Sequence, residues 1–202
     1  MPVVADITEL ILDDHEWFRR EFAALDELRA QTPMDADSIR KVWEPLAARL
    51  DVHAVAEEEI FYPQLLRRGG GDAQDETLDA IGDHNDIRDG VHDAARHPVA
   101  SRPWWDAVDR TRSANDHHMA EEERESLADF RRHAASGLRE ALGRQFAAYL
   151  DRHPSTRGLD IEDKDPQRYV RRITRTISPP GDGSLGIGSL TDGGARKEDD
   201  AR

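Results

Sequence analysis

The sequence predicts an all-α fold: an up-down-up-down four-helix bundle with a short fifth helix and a disordered C-terminal tail. Three observations predict it. Apolar residues recur with helical period in four long segments, and nothing over residues 1–153 alternates with the period of two that a strand needs. The connections between these segments are short, which favours antiparallel neighbours. Composition then changes near Pro154, and the stretch Ser178 to Gly194 (SPPGDGSLGIGSLTDGG) is too rich in Gly, Ser and Pro to bury a core.

Asp6 and Glu9 form a D-x-x-E capping box, and behind them Leu10, Ile11, Phe18, Phe22 and Leu25 define a first helix from about 7 to 31. Gln31-Thr32-Pro33 breaks it. Asp35 and Asp37 start a second helix over about 38–67, with Val42, Leu46, Leu50, Ile60 and Phe61 on its apolar side. Pro45 and Pro63 predict that this helix bends or starts late. Gly69-Gly70-Gly71 stops it, a third helix covers about 75–96, and Ser101 and Pro103 open a fourth over about 102–134. Ser136 caps a short fifth helix ending near Arg152. The folded domain is therefore 1–153, and 154–202 reads as mostly disordered. Within the tail, Tyr169–Ile177 (YVRRITRTI) reads as an ordered piece packed on the domain, in preference to a docking segment for a protein partner.

Charge narrows the function. The chain carries 28 Lys+Arg against 42 Asp+Glu, a net charge of -14. Residues 154–202 hold nine basic and nine acidic residues, so all of the acidity belongs to the bundle. An acidic bundle lacks the positive field that nucleic acid or an anionic membrane surface requires. There is no Cys, which excludes disulfides, thiolate metal sites and cysteine nucleophiles. No apolar run approaches the roughly 18–20 residues of a membrane span and no signal-peptide core follows Met1, so a cytoplasmic protein is expected.

The nine His carry the remaining chemistry, and an internal repeat places four of them. Asp14-His15 is followed by Phe18, Arg19 and Phe22, and Asp83-His84 by Ile87, Arg88 and Val91. Likewise Asp51-x-His53-x-x-x-Glu57-Glu58 matches Asp116-x-His118-x-x-x-Glu122-Glu123. The offsets are 69 and 65 residues, as expected of a two-helix unit used twice. Side chains four apart share a helix face, so His53 with Glu57, and His118 with Glu122, can each reach one point. His15 and His84 add an imidazole each. Four His and two Glu inside a bundle are costly without partners, since a buried unpaired carboxylate costs several kcal/mol. Two metal ions satisfy the set, each taking two imidazoles with both carboxylates free to bridge. Nitrogen and carboxylate donors suit iron or manganese better than magnesium or calcium.

The order H…HxxxE…H…HxxxE on long helices resembles the hemerythrin-like, or HHE cation-binding, domain family, from His15 to about Arg152; His53-AVAEEEIFYP is especially similar to the family's second metal helix. The resemblance implies a pair of iron ions, oxo- or hydroxo-bridged and held also by two carboxylates. It implies reaction with peroxide, dioxygen or nitric oxide. The oxygen carriers of this family have a fifth His one turn after the third-helix His; here that position is Arg88, and its repeat mate is Arg19. A more symmetric centre with an open position on each metal follows, unless Tyr62 or Glu58 fills one, and neither is favoured. In the carriers the last carboxylate lies five residues after its His, which would be Glu123; the repeat favours Glu122. Arg19 and Arg88 are expected to pair with Glu58 or Glu123 at the rim of the site. The runs Glu57–Glu59 and Glu121–Glu123 are expected to be mostly solvated, with one ligand from each, and His117 to be exposed.

Rivals fall on the same residues. No E-x-x-H occurs, as a ferritin-like di-iron site needs, and His15-Glu16 continues to Arg19 rather than a zincin's second His. Two functions stay open: peroxide decomposition or oxidative and nitrosative stress defence by a catalase-like di-iron protein, and an iron- or oxygen-sensing module without turnover.

Overall fold

A computed structural model describes residues 6–177. Among them every regular element is helical. The elements are α1 (Ile7–Arg29), α2 (Ala36–Ala56), a π-helical turn (Glu57–Phe61), α3 (Tyr62–Arg68), α4 (Ala73–Ala94), α5 (Arg102–Arg124), α6 (Ser126–His133), α7 (Ser136–Arg152) and α8 (Pro166–Ile177). The Asp6 carboxylate accepts from the Thr8 and Glu9 amides and Glu9 answers on the Asp6 amide, so the capping box forms as its spacing predicts. Ser136 is the first residue of α7 rather than its cap, and Ala135, which has no capping side chain, stands before it.

Two of the long helices depart from the continuous rods that periodicity suggests. The second runs from Ala36 straight through Pro45 but widens into the π turn before Pro63. Proline has no amide hydrogen to donate. The Tyr62 amide reaches back five residues to the Glu57 carbonyl, which leaves the Glu58 carbonyl with neither the Tyr62 donor nor one at Pro63. The Tyr169 hydroxyl of α8 donates to it instead. The fourth helix is interrupted at Glu125, whose backbone (φ -112°, ψ -78°) is distorted from ideal helical values between α5 and α6. Leu127 and Phe130, just beyond the break, are buried in the core.

The expectation of a mostly disordered 154–202 is corrected over its first half. Asn85 and the Lys164 backbone exchange two hydrogen bonds of 2.8 and 2.9 Å, and α8 buries Tyr169 and Val170 against the bundle. Aromatic burial and these backbone bonds offset the ordering entropy that the polar composition suggested would win. The packed Tyr169–Ile177 segment is as expected; the Ser178–Gly194 stretch lies outside the described residues.

The core is split. One apolar cluster gathers Ile7, Ile11, Val55, Phe61, Ile81, Phe130 and Phe146, and the other gathers Phe18, Phe22, Leu46, Ile87, Trp104 and Val108. On α1 the change from one to the other falls at Asp14-His15, and on α4 at His84. A polar layer is thus held between two apolar ones. Behind that layer α4 and α5 pack closely at Gly90. A Cβ at Gly90 would come within 2.3 Å of Thr111 Oγ1 and 3.1 Å of the Thr111 backbone, whereas one at Gly82 would meet nothing within 4 Å. Gly90→Ala is therefore expected to destabilise the chain by about 1–3 kcal/mol through overpacking. Gly82→Ala should stabilise it by about 0.5–1 kcal/mol, because an interior helical glycine gives up more backbone entropy than alanine. Urea midpoints of the two variants check the pair.

Candidate metal centre

The polar layer holds the four repeat histidines and two glutamates, each at most 4 % exposed. α1 supplies His15, α2 His53, the π turn Glu57, α4 His84, and α5 both His118 and Glu122. Glu57 stands between two imidazole pairs. Its Oε1 lies 3.0 Å from His53 Nε2, and its Oε2 lies 3.3 Å from His84 Nε2 and 3.9 Å from His118 Nε2. Ligand atoms of His15, His53 and Glu57 fall within 4.8 Å of one another, and so do those of Glu57, His84 and His118. One carboxylate is common to both groups. Glu122 is held differently: Oε2 lies 3.4 Å from His15 Nε2, and Oε1 accepts a 2.9 Å hydrogen bond from Tyr62. Of the four imidazoles it therefore meets His15, whereas Glu57 meets both pairs. Tyr62, a side chain considered for an open metal position, is engaged with that carboxylate.

The outer side of each imidazole is fixed by an acid. His15 Nδ1 meets Glu123 at 2.9 Å, His53 Nδ1 meets Asp14 at 2.9 Å, His84 Nδ1 meets Glu58 at 3.0 Å, and His118 Nδ1 lies 3.5 Å from Asp83. The pairing repeats along with the sequence. The aspartate before each D-H histidine serves the histidine of the following helix, and the glutamate after each HxxxE glutamate, Glu58 or Glu123, serves a D-H histidine. Cations complete the shell: Arg88 and Lys164 on Glu58 at 2.6 and 2.8 Å, Arg19 on Glu123 at 2.7 Å, and Arg49 on Asp14 at 2.7 Å. Carboxylates that hold Nδ1–H leave each Nε2 lone pair turned inward.

Several expectations are corrected here. Glu58 and Glu122 are buried and Glu123 is 29 % exposed at its side chain, so the acidic runs are not mostly solvated; Glu59 is. Arg19 sits at the rim at 37 % exposure, but Arg88 is fully buried, on a Glu58 carboxylate that Lys164 also holds. His117 is exposed as expected. Asp14, Asp83, Arg49 and Lys164 were not singled out from the sequence. The two aspartates had a signal, since both repeat units read Asp-His; Arg49 and Lys164 had none.

Inward-facing atoms test whether a cation fits. Nε2 of His15 and His53, both oxygens of Glu57 and Oε2 of Glu122 are buried without a hydrogen-bond partner. Such atoms cost free energy unless something fills the space they face. Imidazole nitrogen with carboxylate oxygen is a donor set for iron, manganese or zinc. A family model, the hemerythrin HHE cation-binding domain, matches residues 6–129, more than half of the chain. The chain belongs to this family. No curated protein and no solved structure matches it. The HHE match spans all six inner residues and their four acids but stops before α7 and α8, so Lys164 and Tyr169 lie outside the matched segment.

Without metal, protons serve the layer. Burial on its own would push the His53 imidazole down, but Glu57 and Asp14 hold it up to about 10. Burial would raise Glu58, but His84, Arg88 and Lys164 hold it down to about 2. The raised His53 stabilises the metal-free fold fully below its ordinary 6.5 and loses that contribution as pH rises through about 10. The depressed Glu58 contributes above its ordinary 4.5 and loses that as pH falls through about 2. Stability of the metal-free chain should therefore peak between about pH 4.5 and 6.5. Denaturant midpoints measured in chelator across pH 3–10 check this, and a midpoint climbing steadily from pH 6 to 9 would contradict it.

Proposed function

We propose that this HHE protein is a non-haem di-iron protein that binds and turns over a small oxidant, with hydrogen peroxide the favoured substrate and oxidative-stress defence the role. The observation that carries this reading is Glu57, a buried carboxylate common to two histidine pairs: both its oxygens and the inner nitrogens of His15 and His53 lack hydrogen-bond partners, and the inner nitrogens of His84 and His118 face each other at 3.2 Å. His15 and His53 would hold one iron and His84 and His118 the other, with Glu57 common to both and Glu122 beside His15. In the same reading the long helices run up-down-up-down and the protein works in the cytoplasm; no described helix is long and apolar enough to cross a membrane. Bound iron supplies a redox couple and a Lewis acid for a small oxygen-containing ligand.

The chain's own residues supply the rest. Asp14, Asp83, Glu58 and Glu123 orient the imidazoles, and Arg88 and Lys164 balance the Glu58 charge in a buried setting. Tyr62 holds Glu122 by one oxygen. Phe18 and Phe146 stand edge-on to the His53 ring at 5.1 and 5.9 Å and keep water from that side. Where oxygen carriers of the family place a fifth histidine, Arg88 points its guanidinium at Glu58. Each histidine pair therefore provides the same number of imidazoles, which supports access of an oxidant to both metals rather than reversible carriage at one.

A sensing role is the second reading, and one observation favours it. Lys164 and Tyr169 tie the C-terminal segment to the side chain and the carbonyl of Glu58, next to Glu57. Occupancy of the centre could thereby be reported by α8.

Protein loaded with iron should hold two irons per chain and release oxygen rapidly from hydrogen peroxide, and His118→Ala should lose both the second iron and the turnover. Fewer than one iron per chain would overturn the di-iron reading. Two irons without turnover, together with metal-dependent protease cleavage around α8, would replace the enzyme by the sensor. Asp14→Asn and Asp83→Asn should each weaken iron binding about 10–100-fold while leaving the ligands in place. Chelator competition measures this.

A further inference from the structure

The six inner residues are sealed, so an ion needs a way in, and the structure has one candidate on the side of α4 and α5. A cavity of about 20 Å³, room for roughly one water, lies between these helices. Glu76, Asp79 and Asp83 of α4 and Glu121 of α5 form its walls, and His118 and Glu122 of the centre form its inner end. Glu122 is 2 % exposed, and its Oε2 is unpartnered. Glu76 Oε2, along the same wall, is also buried without a hydrogen bond. No Lys or Arg lines this throat. Arg124 comes within 3.7 Å of Glu121 Oε1, but its closer partner is Glu125 at 2.7 Å, and Glu121 Oε2 is turned toward His117 Nε2 at 3.7 Å.

Two of the wall residues, Asp83 and Glu121, also meet the exposed His117 outside the cavity, with one ligand atom of each within 4.8 Å of the others. Asp83 belongs to both ends, because its Oδ2 also lies 3.5 Å from His118 Nδ1. One imidazole and two carboxylates at a half-open surface make a donor set for a first-row divalent cation. With three ligands and water filling the remaining positions, such a site holds an ion weakly enough to release it. An ion entering the layer must shed its hydration shell, and the throat replaces waters by carboxylate oxygens in stages rather than at once.

We propose that Asp83, His117 and Glu121 form an outer divalent-cation site that hands ferrous iron through the acidic throat to the buried centre. The inference rests on the di-iron reading and adds the route by which the centre is filled. The negative field of the bundle concentrates the ion at this mouth, and such focusing raises association rates by about 10–10³-fold at low ionic strength.

The test uses the full-length metal-free chain, mixed with ferrous iron under anaerobic conditions, with uptake followed by rapid quenching into chelator. His117→Ala/Glu121→Gln leaves Asp83 and the inner residues untouched. It should load about tenfold more slowly at low ionic strength, reach the same final two irons per chain, and lose most of the salt dependence of the wild-type rate. In iron-loaded wild type, Mn²⁺ titrated by electron paramagnetic resonance should report one additional weak site per chain, missing in the variant. Equal loading rates with equal salt dependence, or no additional Mn²⁺ site, overturn the proposal. Failure of the di-iron reading looks different: neither wild type nor variant would then retain two irons at equilibrium, whatever the rates.

Discussion

Everything in this structure is arranged around buried charge. Four imidazoles and two carboxylates occupy a layer between two apolar clusters, where an unpaired ion would be worth several kcal/mol against folding. Each imidazole meets an acid on its outer nitrogen, three of those four acids meet an Arg or Lys, and the inner atoms face one another around Glu57. The apolar clusters hold that arrangement from both sides, and the close α4–α5 packing at Gly90 keeps His84 and His118 together.

The two helix pairs are equivalent in pattern but not in enclosure. Glu58 is covered by Arg88, Lys164 and the Tyr169 hydroxyl, while its repeat mate Glu123 stands at the rim with Arg19. The origin of the difference is local. Pro63 withholds an amide, the helix widens into a π turn, and the freed Glu58 carbonyl becomes the anchor for α8. A segment beyond the family match thereby shapes the surroundings of a residue adjacent to the shared carboxylate.

Much of this was legible in the sequence because helical spacing turns distance along the chain into a face. His53 with Glu57, and His118 with Glu122, follow from four-residue spacing, and the D-H repeat set His15 opposite His84. What spacing does not give is which nitrogen of a histidine an acid will meet, since that depends on how helices dock. Asp14 was read as part of a pattern, yet its partner is His53 on the next helix. The π turn was hidden because proline signals a disturbance without naming its form. Lys164 was hidden because it lies in a polar stretch whose order depends on Asn85 and Tyr169, both distant in sequence.

The central claim is that two metal ions share Glu57 within one buried layer. The most direct measurement is the Mössbauer spectrum of the air-oxidised protein loaded with ⁵⁷Fe, recorded at low temperature with and without an applied field. Two ferric ions joined through common ligands are predicted to couple into a diamagnetic ground state that accounts for nearly all the iron, and Glu57→Ala to abolish that signal. Magnetically isolated ferric iron in the wild type, or a spectrum indifferent to Glu57→Ala, would contradict it.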